Sequence, residues 1–389
     1  MSGVSDGRSG RPKVELQVLS ELSELEAVRH EWEQLAATAP AYSGAQSPEY
    51  VLNGWIHGAG KAERLCVLTA RIDGVLRAVW PLYQASSRGL VSVRHLGNGG
   101  YHEYAPPLVS GPASEQIIED MFQFAVKIGD VFEAYNLPDA SPLVKIIANA
   151  PYPTHHHNMK SPIVSLRGAP SWDSWIAAKS KSFRSGLRYD RSKLAGLGTL
   201  AFAEVHENGA ASFVDWFFTQ KARWLVERKI KGSWLVKAQT RAFYRSVIGR
   251  EGPATRGFAL TLDDKIIAGC ICIESSDRLE YYITAFDPDY SAYSPGNLLL
   301  EECVKWCIDR KLDFDFRLSS ESYKLRWSDR YDVYHTIKIA SSMRGRLEII
   351  RMEAETRLRA LRSETKRRLL DVKNRMSSFR KASTRSSAK

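Results

Sequence analysis

Two tight acidic turns, Asp73-Gly74 and Asp263-Asp264, each separate apolar runs with the composition of β-strands. Residues 65–72 (LCVLTARI) and 75–83 (VLRAVWPLY) flank the first turn, and residues 257–262 (GFALTL) and 265–274 (KIIAGCICIE) flank the second. After the first turn come an apolar stretch at 90–96, a glycine-rich loop (GNGGYHEYAPPLVSG), a helix near 114–128 and an extended stretch at 131–137. After the second come LEYYITAF at 279–286, a loop, a helix from about 296 to 310, and LDFDF at 312–316. The residues barely match between the copies, so the repeat is one of pattern. It predicts an α/β (α+β) fold of two tandem units packed side by side.

At 389 residues with 44% apolar content, the chain is long enough for two cores and a tail. The expected partition is a disordered start at 1–14, a first unit at 15–165, a second at 166–343, a basic amphipathic helix at 344–380 and a disordered end at 381–389. A helical pattern runs from about Leu22 to Leu35, and a second helix follows the cap at Ser47-Pro48. Between the units, residues 172–198 read as a connecting helix ending at glycines. Its Lys and Arg side chains form either a solvated face or a wall of cations before an anionic ligand.

The net charge of +11 is unevenly placed. From Arg344 onward there are 15 Lys and Arg against 5 Asp and Glu, which leaves the first 343 residues near neutrality. The basic balance therefore marks a tail, not a nucleic-acid-binding body. In that tail Leu347, Ile350, Ala354, Leu358, Leu361, Thr365, Leu369, Val372, Met376 and Phe379 are spaced three and four apart, close to an 11-residue repeat. Such a stripe packs on the body or a second copy, lies on an anionic membrane surface as a peripheral contact, or stays free.

No window holds the roughly 18 unbroken apolar residues of a membrane span, and no apolar stretch follows the first charges, so a soluble cytoplasmic protein is expected. Five irregularly spaced cysteines fit reduced, buried thiols better than a disulfide framework or a metal site. His155–His157, beside prolines, reads as a loop without ligand partners. No nucleophile elbow, Walker loop or dinucleotide fingerprint occurs.

The most informative stretch is 279–316. Pro295 and Gly296 stand at the mouth of a helix whose first amides and positive dipole end suit a phosphate group. The run YSPGNLLL, followed by FDFRLSSESYKLRW, resembles the GNAT acyltransferases of the CelD-like group, associated with cellulose and exopolysaccharide biosynthesis. More distantly it is similar to the Fem-type aminoacyl transferases, which also pair two GNAT-like units. The resemblance spans most of residues 15–340, including the KSFRSGLRYDRSKLAGLG helix and the VLTARIDGVLRAVWPLY hairpin.

That resemblance implies an N-acyltransferase using acetyl-coenzyme A or another acyl-coenzyme A, with no metal. It implies that Ser294, Pro295, Gly296 and Asn297 hold the coenzyme pyrophosphate. Thr284, Ala285 and Phe286 would form a splayed strand edge for the pantetheine arm and the thioester oxygen, where a fixed amide stabilises an oxyanion. Tyr323 and Lys324 match the family's Tyr-Lys pair; Lys324 is either a catalytic or phosphate-binding group or a surface lysine packed beside Trp327. Ser319 stands where the family usually has glycine, which weakens coenzyme contacts from that loop. Glu103, on the first unit's loop, is a candidate base for the acceptor amine, with His102 and ordered water as rivals. Lys181, Arg184 and Arg188 would hold an anionic sugar or small-molecule acceptor. Two other readings stay open: a Fem-like enzyme using aminoacyl-tRNA, the one case in which nucleic acid would be a partner, and an inactive scaffold of a polysaccharide synthase.

Overall fold

The computed structural model describes residues 12–58, 63–97, 104, 106–250, 255–318, 321–358, 361, 364 and 365. The first unit runs β1 (Glu15–Leu19), α1 (Leu22–Ala27), α2 (Arg29–Thr38), α3 (Pro48–Gly58), β2 (Glu63–Leu65), β3 (Val67–Ile72), β4 (Val75–Trp80), β5 (Leu82–Ser87), β6 (Leu90–His95), β7 (Leu108–Val109), α4 (Ser114–Lys127), β8 (Val131–Pro138), α5 (Pro142–Asn149) and β9 (Thr154–Val164). The second runs α6 (Trp172–Ala177), α7 (Lys181–Ala195), β10 (Leu200–Val205), α8 (Glu207–Glu227), α9 (Ala238–Val247), β11 (Thr255–Leu262), β12 (Lys265–Glu274), β13 (Arg278–Phe286), α10 (Pro295–Arg310), β14 (Asp313–Asp315), α11 (Ser322–Trp327) and β15 (Arg330–Ala340).

Both acidic turns are where the sequence places them. Asp73 and Gly74 have φ of 50° and 76°, and Asp263 and Asp264 have φ of 45° and 63°. Left-handed values at both central positions match the twist of two antiparallel strands, which is why Gly and Asp stand there. The Leu22–Leu35 helix breaks at Val28 into α1 and α2. The connecting helix also breaks in two, because the Ser180 hydroxyl accepts the Phe183 amide and starts α7 afresh.

The two units are interlocked instead of lying side by side. One sheet runs β10-β11-β12-β13-β14-β9-β15-β8-β6-β5-β2, beside a smaller sheet β1-β3-β4-β7. The first unit's last strand, β9, pairs with β14, and the second unit's last strand, β15, pairs with β8. Between them β9 and β15 pair antiparallel from Arg330↔Ile163 to Ile339↔Thr154. Separating the units would break this ladder at the centre of the sheet and leave its backbone groups unpaired.

His155–His157 lies inside β9, not in a loop. His156 Nε2 and His335 Nδ1 share a hydrogen bond of 2.8 Å, and His335 Nε2 bonds Asp139 at 2.8 Å. The partners come from β15, nearly 180 residues away, which the local polar composition does not reveal.

Helices cover both faces of the large sheet. In the second unit α7 and α10 bury one face around Leu187, Leu299, Cys303 and Phe314. On the other face α8 and α9 pack around Phe213, Phe217 and Tyr244. The same core takes in Tyr50 of α3, whose ring meets Phe243 edge-on at 5.0 Å. The five cysteines are buried and free, and no cluster of metal-ligating side chains occurs among the described residues. Among those residues, too, no helix is long and apolar enough to cross a membrane.

After β15 the chain turns into a helix over residues 343–358. Ile349 docks on the body, whereas the stripe residues Leu347, Ile350, Leu358 and Leu361 are largely exposed. The body therefore does not cover the stripe at these positions.

Candidate functional site

The site grows from a divergence between two parallel strands. β13 pairs with β14 only over Arg278–Glu280 and Asp313–Asp315, then continues alone for six residues on that side. β14 ends because Arg317 adopts a left-handed φ of 59° and the chain leaves for α11. On its other edge β13 stays paired with β12, with a register shift that leaves Tyr282 without a counterpart. A bulge there sharpens the strand's twist and opens the wedge further. Thr284, Ala285 and Phe286 lie on the diverging segment; Ala285 is buried and Phe286 is exposed. Thr284 Oγ1 donates to the Gly269 carbonyl at 3.4 Å.

The wedge leads to the start of α10. A 3-10 turn over Pro288–Tyr293 is capped by Asp287, whose carboxylate accepts the Asp289 amide and pairs with Arg223 at 3.3 Å. Ser294 then takes a left-handed φ of 53°, and Pro295 occupies the first helical position, where a missing amide costs nothing. Asn297 is less available to a ligand than its sequence position suggests. Its amide donates to the Ser294 carbonyl and its side chain to Asp190 on α7, both at 2.9 Å. Gly296 is the open position, with no atom within 4 Å of where a Cβ would stand. Lys193 reaches this turn from α7, donating to the Ala292 carbonyl at 3.1 Å.

Lys324 and Tyr323 stand on α11, beyond the end of β14. Lys324 is buried, which corrects the surface-lysine alternative: its Nζ donates to the Phe316 carbonyl at 3.2 Å and pairs with Glu321 at 2.9 Å. Trp327, fully buried against Trp175 and Phe183, anchors the same short helix. Tyr323 is part-exposed, and burial pushes its hydroxyl pKa up. Lys221 of α8 joins this group. Burial pulls its ammonium down to about 8, Glu321 opposes that shift, and Lys324 adds to it.

Sequence reasoning missed the ionic centre at the base of the wedge. Glu280, only 1% exposed, pairs with Arg317 at 2.5 Å and accepts the Ser275 hydroxyl at 2.8 Å. Burial pushes its carboxyl up to about 7, with Arg317 opposing and Asp315 reinforcing the rise. The Arg317 guanidinium lies over Tyr104 at 4.2 Å and Tyr282 at 4.7 Å. Asp315, wholly buried, accepts the Arg317 amide at 2.6 Å, the Tyr334 hydroxyl at 3.1 Å and Arg278 at 3.3 Å, together with the Ser161 hydroxyl. The only warning in the sequence was a carboxylate inside an otherwise apolar strand, RLEYYITAF.

The predicted cation wall does not gather at this centre. Arg184 donates to the carbonyls of Ala177 and Lys179, tying off the end of α6, while Lys181 and Arg188 are exposed on α7. That helix packs against α10, on the sheet face opposite α8. Glu103, His102 and Ser319 lie outside the described residues.

A charged carboxyl beside a strand wedge, with a helix mouth at the wedge's far end, is an arrangement suited to acyl transfer. Residues 181–325 match the family model described as an acetyltransferase (GNAT) domain. Solved structures extend the likeness of fold to both units. FemX aligns with a TM-score of 0.58 at 8% identity, covering 82% of this chain and 96% of that one. The C-terminal domain (DUF2156) of a protein assigned as a lysylphosphatidylglycerol synthetase from Agrobacterium fabrum aligns with a TM-score of 0.55 at 12% identity, covering 85% and 95%. A conserved protein of unknown function from Bacteroides thetaiotaomicron gives 0.51 at 10% identity, covering 84% and 100%. No curated protein matches by sequence. Residues 181–325 are thus similar to an acetyltransferase (GNAT) domain, and they lie inside a two-unit α/β fold that these solved structures share.

Proposed function

We propose that this protein transfers an acyl group, acetyl in the simplest case, from a coenzyme A thioester to an amine of a sugar or small molecule, in cellulose or exopolysaccharide biosynthesis. The observation that carries the reading is the divergence of β13 from β14 after Glu280. It frees a strand edge at Thr284–Phe286 along which an extended thioester arm can lie, its carbonyl oxygen meeting backbone amides. The phosphates would sit at the mouth of α10, where the space beside Gly296 is open and Lys193 lies nearby. Lys221 and Lys324 supply further positive charge beside the wedge.

Chemistry follows by direct attack. The neutral acceptor amine adds to the thioester carbon, the amine proton passes to a base, the C–S bond breaks, and the coenzyme leaves as a thiol after gaining a proton. Among the described residues Glu280 is the base this reading favours, because its carboxyl titrates near neutrality and lies at the base of the wedge. Glu103 and His102 keep their places as the alternatives. The basic segment over residues 344–380 would hold a second copy or an anionic membrane surface.

Calorimetry with acetyl-coenzyme A tests the donor. Binding supports the reading; no binding, with tight binding of a charged tRNA, would replace it by an aminoacyl-tRNA donor. Binding without turnover of any amine would leave a scaffold.

A further inference from the structure

A cavity of about 670 Å³ opens between the two units beside Glu280. Tyr42, Ser43 and Tyr104 of the first unit line it, facing Glu280, Tyr331 and Tyr334 of the second. Such a volume holds a mono- or disaccharide-sized molecule. We propose that this cavity is the acceptor's site and that it selects a small polyhydroxylated amine carrying no phosphate. The assignment rests on the acyl-transfer reading, and three features of the cavity carry it.

Charge is the first. The lining holds four carboxylates, from Asp139, Asp277, Glu280 and Asp332, against the guanidinium groups of Arg167 and Arg278. Arg278 pairs with Asp277 at 2.9 Å and Asp332 at 2.8 Å and donates to the Tyr334 hydroxyl at 3.0 Å, and Glu280 pairs with Arg317, so the negative excess of the lining is that of four carboxylates over two guanidinium groups, in part balanced by these pairs. In a chain of net charge +11, an acidic cavity attracts an ammonium group and repels a phosphate dianion. This points away from the anionic acceptor suggested by Lys181, Arg184 and Arg188, none of which lines the cavity.

Hydrogen-bonding capacity is the second. The hydroxyl of Tyr104, buried in the cavity wall, makes no hydrogen bond of good geometry among the described residues, although the Ser161 hydroxyl lies close enough to act on it. Ser43, Ser275 and Ser276 add hydroxyls along the same wall. A buried unpaired hydroxyl is costly, and a ligand rich in hydroxyls removes the cost.

Aromatic surface is the third. Tyr331, 51% exposed, is the aromatic residue of the lining open to a ligand, beside Tyr104 and Tyr334, whose buried rings stack on each other at 4.0 Å. Aromatic faces receive the apolar side of a sugar ring and attract an ammonium. The cavity also reaches the chemistry, since Glu280 is part of its wall and Arg317, the partner of Glu280, lies over Tyr104.

Calorimetry on the full chain with D-glucosamine, D-glucosamine 6-phosphate and, separately, acetyl-coenzyme A tests this. D-glucosamine should bind, with its 6-phosphate at least about tenfold weaker. Tyr331→Ala should weaken D-glucosamine by about tenfold and Tyr331→Phe should restore it, with acetyl-coenzyme A unaffected by either. The assignment is overturned if the 6-phosphate binds as tightly, if Tyr331→Ala binds D-glucosamine like the parent, or if neither sugar binds while acetyl-coenzyme A does. If the sugar pattern holds and acetyl-coenzyme A does not bind, the donor reading falls and the cavity assignment stands.

Discussion

Glu280 and Arg317 form an ion pair of 2.5 Å across the point where β13 and β14 part. Glu280 is the last β13 residue of the shared ladder and Arg317 stands two residues beyond its last β14 residue, so the pair lies at the base of the wedge, and Glu280 also forms part of the wall of the inter-unit cavity. Neither charge is cheap to bury, and Asp315, Arg278, Ser275 and two tyrosine rings are arranged to support them.

If Glu280 is the base, Glu280→Gln should lower kcat by on the order of 10²–10³ with little change in the KM for the acyl donor. Parent kcat/KM should rise with pH and level off above about 7, because the carboxyl must lose its proton to act. Stability carries the opposite sign. The native carboxyl holds its proton to about 7 while the unfolded one releases it near 4.5, so stability falls as pH rises through that window. The Gln variant should lack that fall. A rate within threefold of the parent would move the base elsewhere, with Glu103 and His102 next in line.

Gly296 separates helix stability from donor binding. Open space surrounds its missing Cβ, so Gly296→Asp should be accommodated and, as an anion in the first turn, should stabilise α10 by about 0.3–1 kcal/mol. The same carboxylate would repel a phosphate at the helix mouth and weaken coenzyme A by about tenfold or more. Thermal melts and calorimetry read the two effects independently. Unchanged coenzyme A affinity would place the phosphates somewhere else.

What the sequence made legible was local. Asp73-Gly74 and Asp263-Asp264 announce their hairpins because left-handed dihedrals restrict the residues that serve there. The helix beginning at Pro295 was likewise readable from short-range pattern, whereas the divergence of the strand before it was implied only by the family resemblance. The exchange of β9 and β15 was not, since pairing His156 with Ile337 depends on residues far apart in the chain. Nor was the Glu280–Arg317 centre, for a carboxylate in a strand gains meaning only from the burial around it. Arg184 shows the converse: its place in a cationic run suggested a ligand, yet its guanidinium caps the carbonyl of Ala177, the last residue of the preceding helix, and that of Lys179 just beyond it.

Lys221 offers a test through its depressed ammonium. A lysine that loses its proton near 8 when folded, but near 10.5 when unfolded, costs stability at neutral pH and relieves that cost as pH rises through this window. Lys221→Met should therefore raise Tm at pH 7 and flatten the gain between pH 8 and 10. If Lys221 faces a bound anion together with Lys324, the same variant should bind coenzyme A more weakly. A stabilised variant with parental affinity would make the amine a structural burden alone.

The C-terminal helix divides into a docked root and an uncovered stripe, and single substitutions should tell them apart. At the root, a Cβ on Gly345 would stand 2.0 Å from the Asp130 carbonyl oxygen, and the Ser342 hydroxyl holds the Asp130 carboxylate at 2.5 Å. Gly345→Ala must displace that backbone and should cost about 1–3 kcal/mol in thermal unfolding. Leu347, 66% exposed, touches no core cluster, so Leu347→Glu should leave unfolding within about 0.5 kcal/mol of the parent. It should nevertheless reduce self-association in sedimentation, or binding to anionic vesicles, because a carboxylate in the stripe opposes either contact. Loss of stability in Leu347→Glu would mean that the body covers the stripe in solution, and unchanged association with both partners would leave the stripe without a role in assembly.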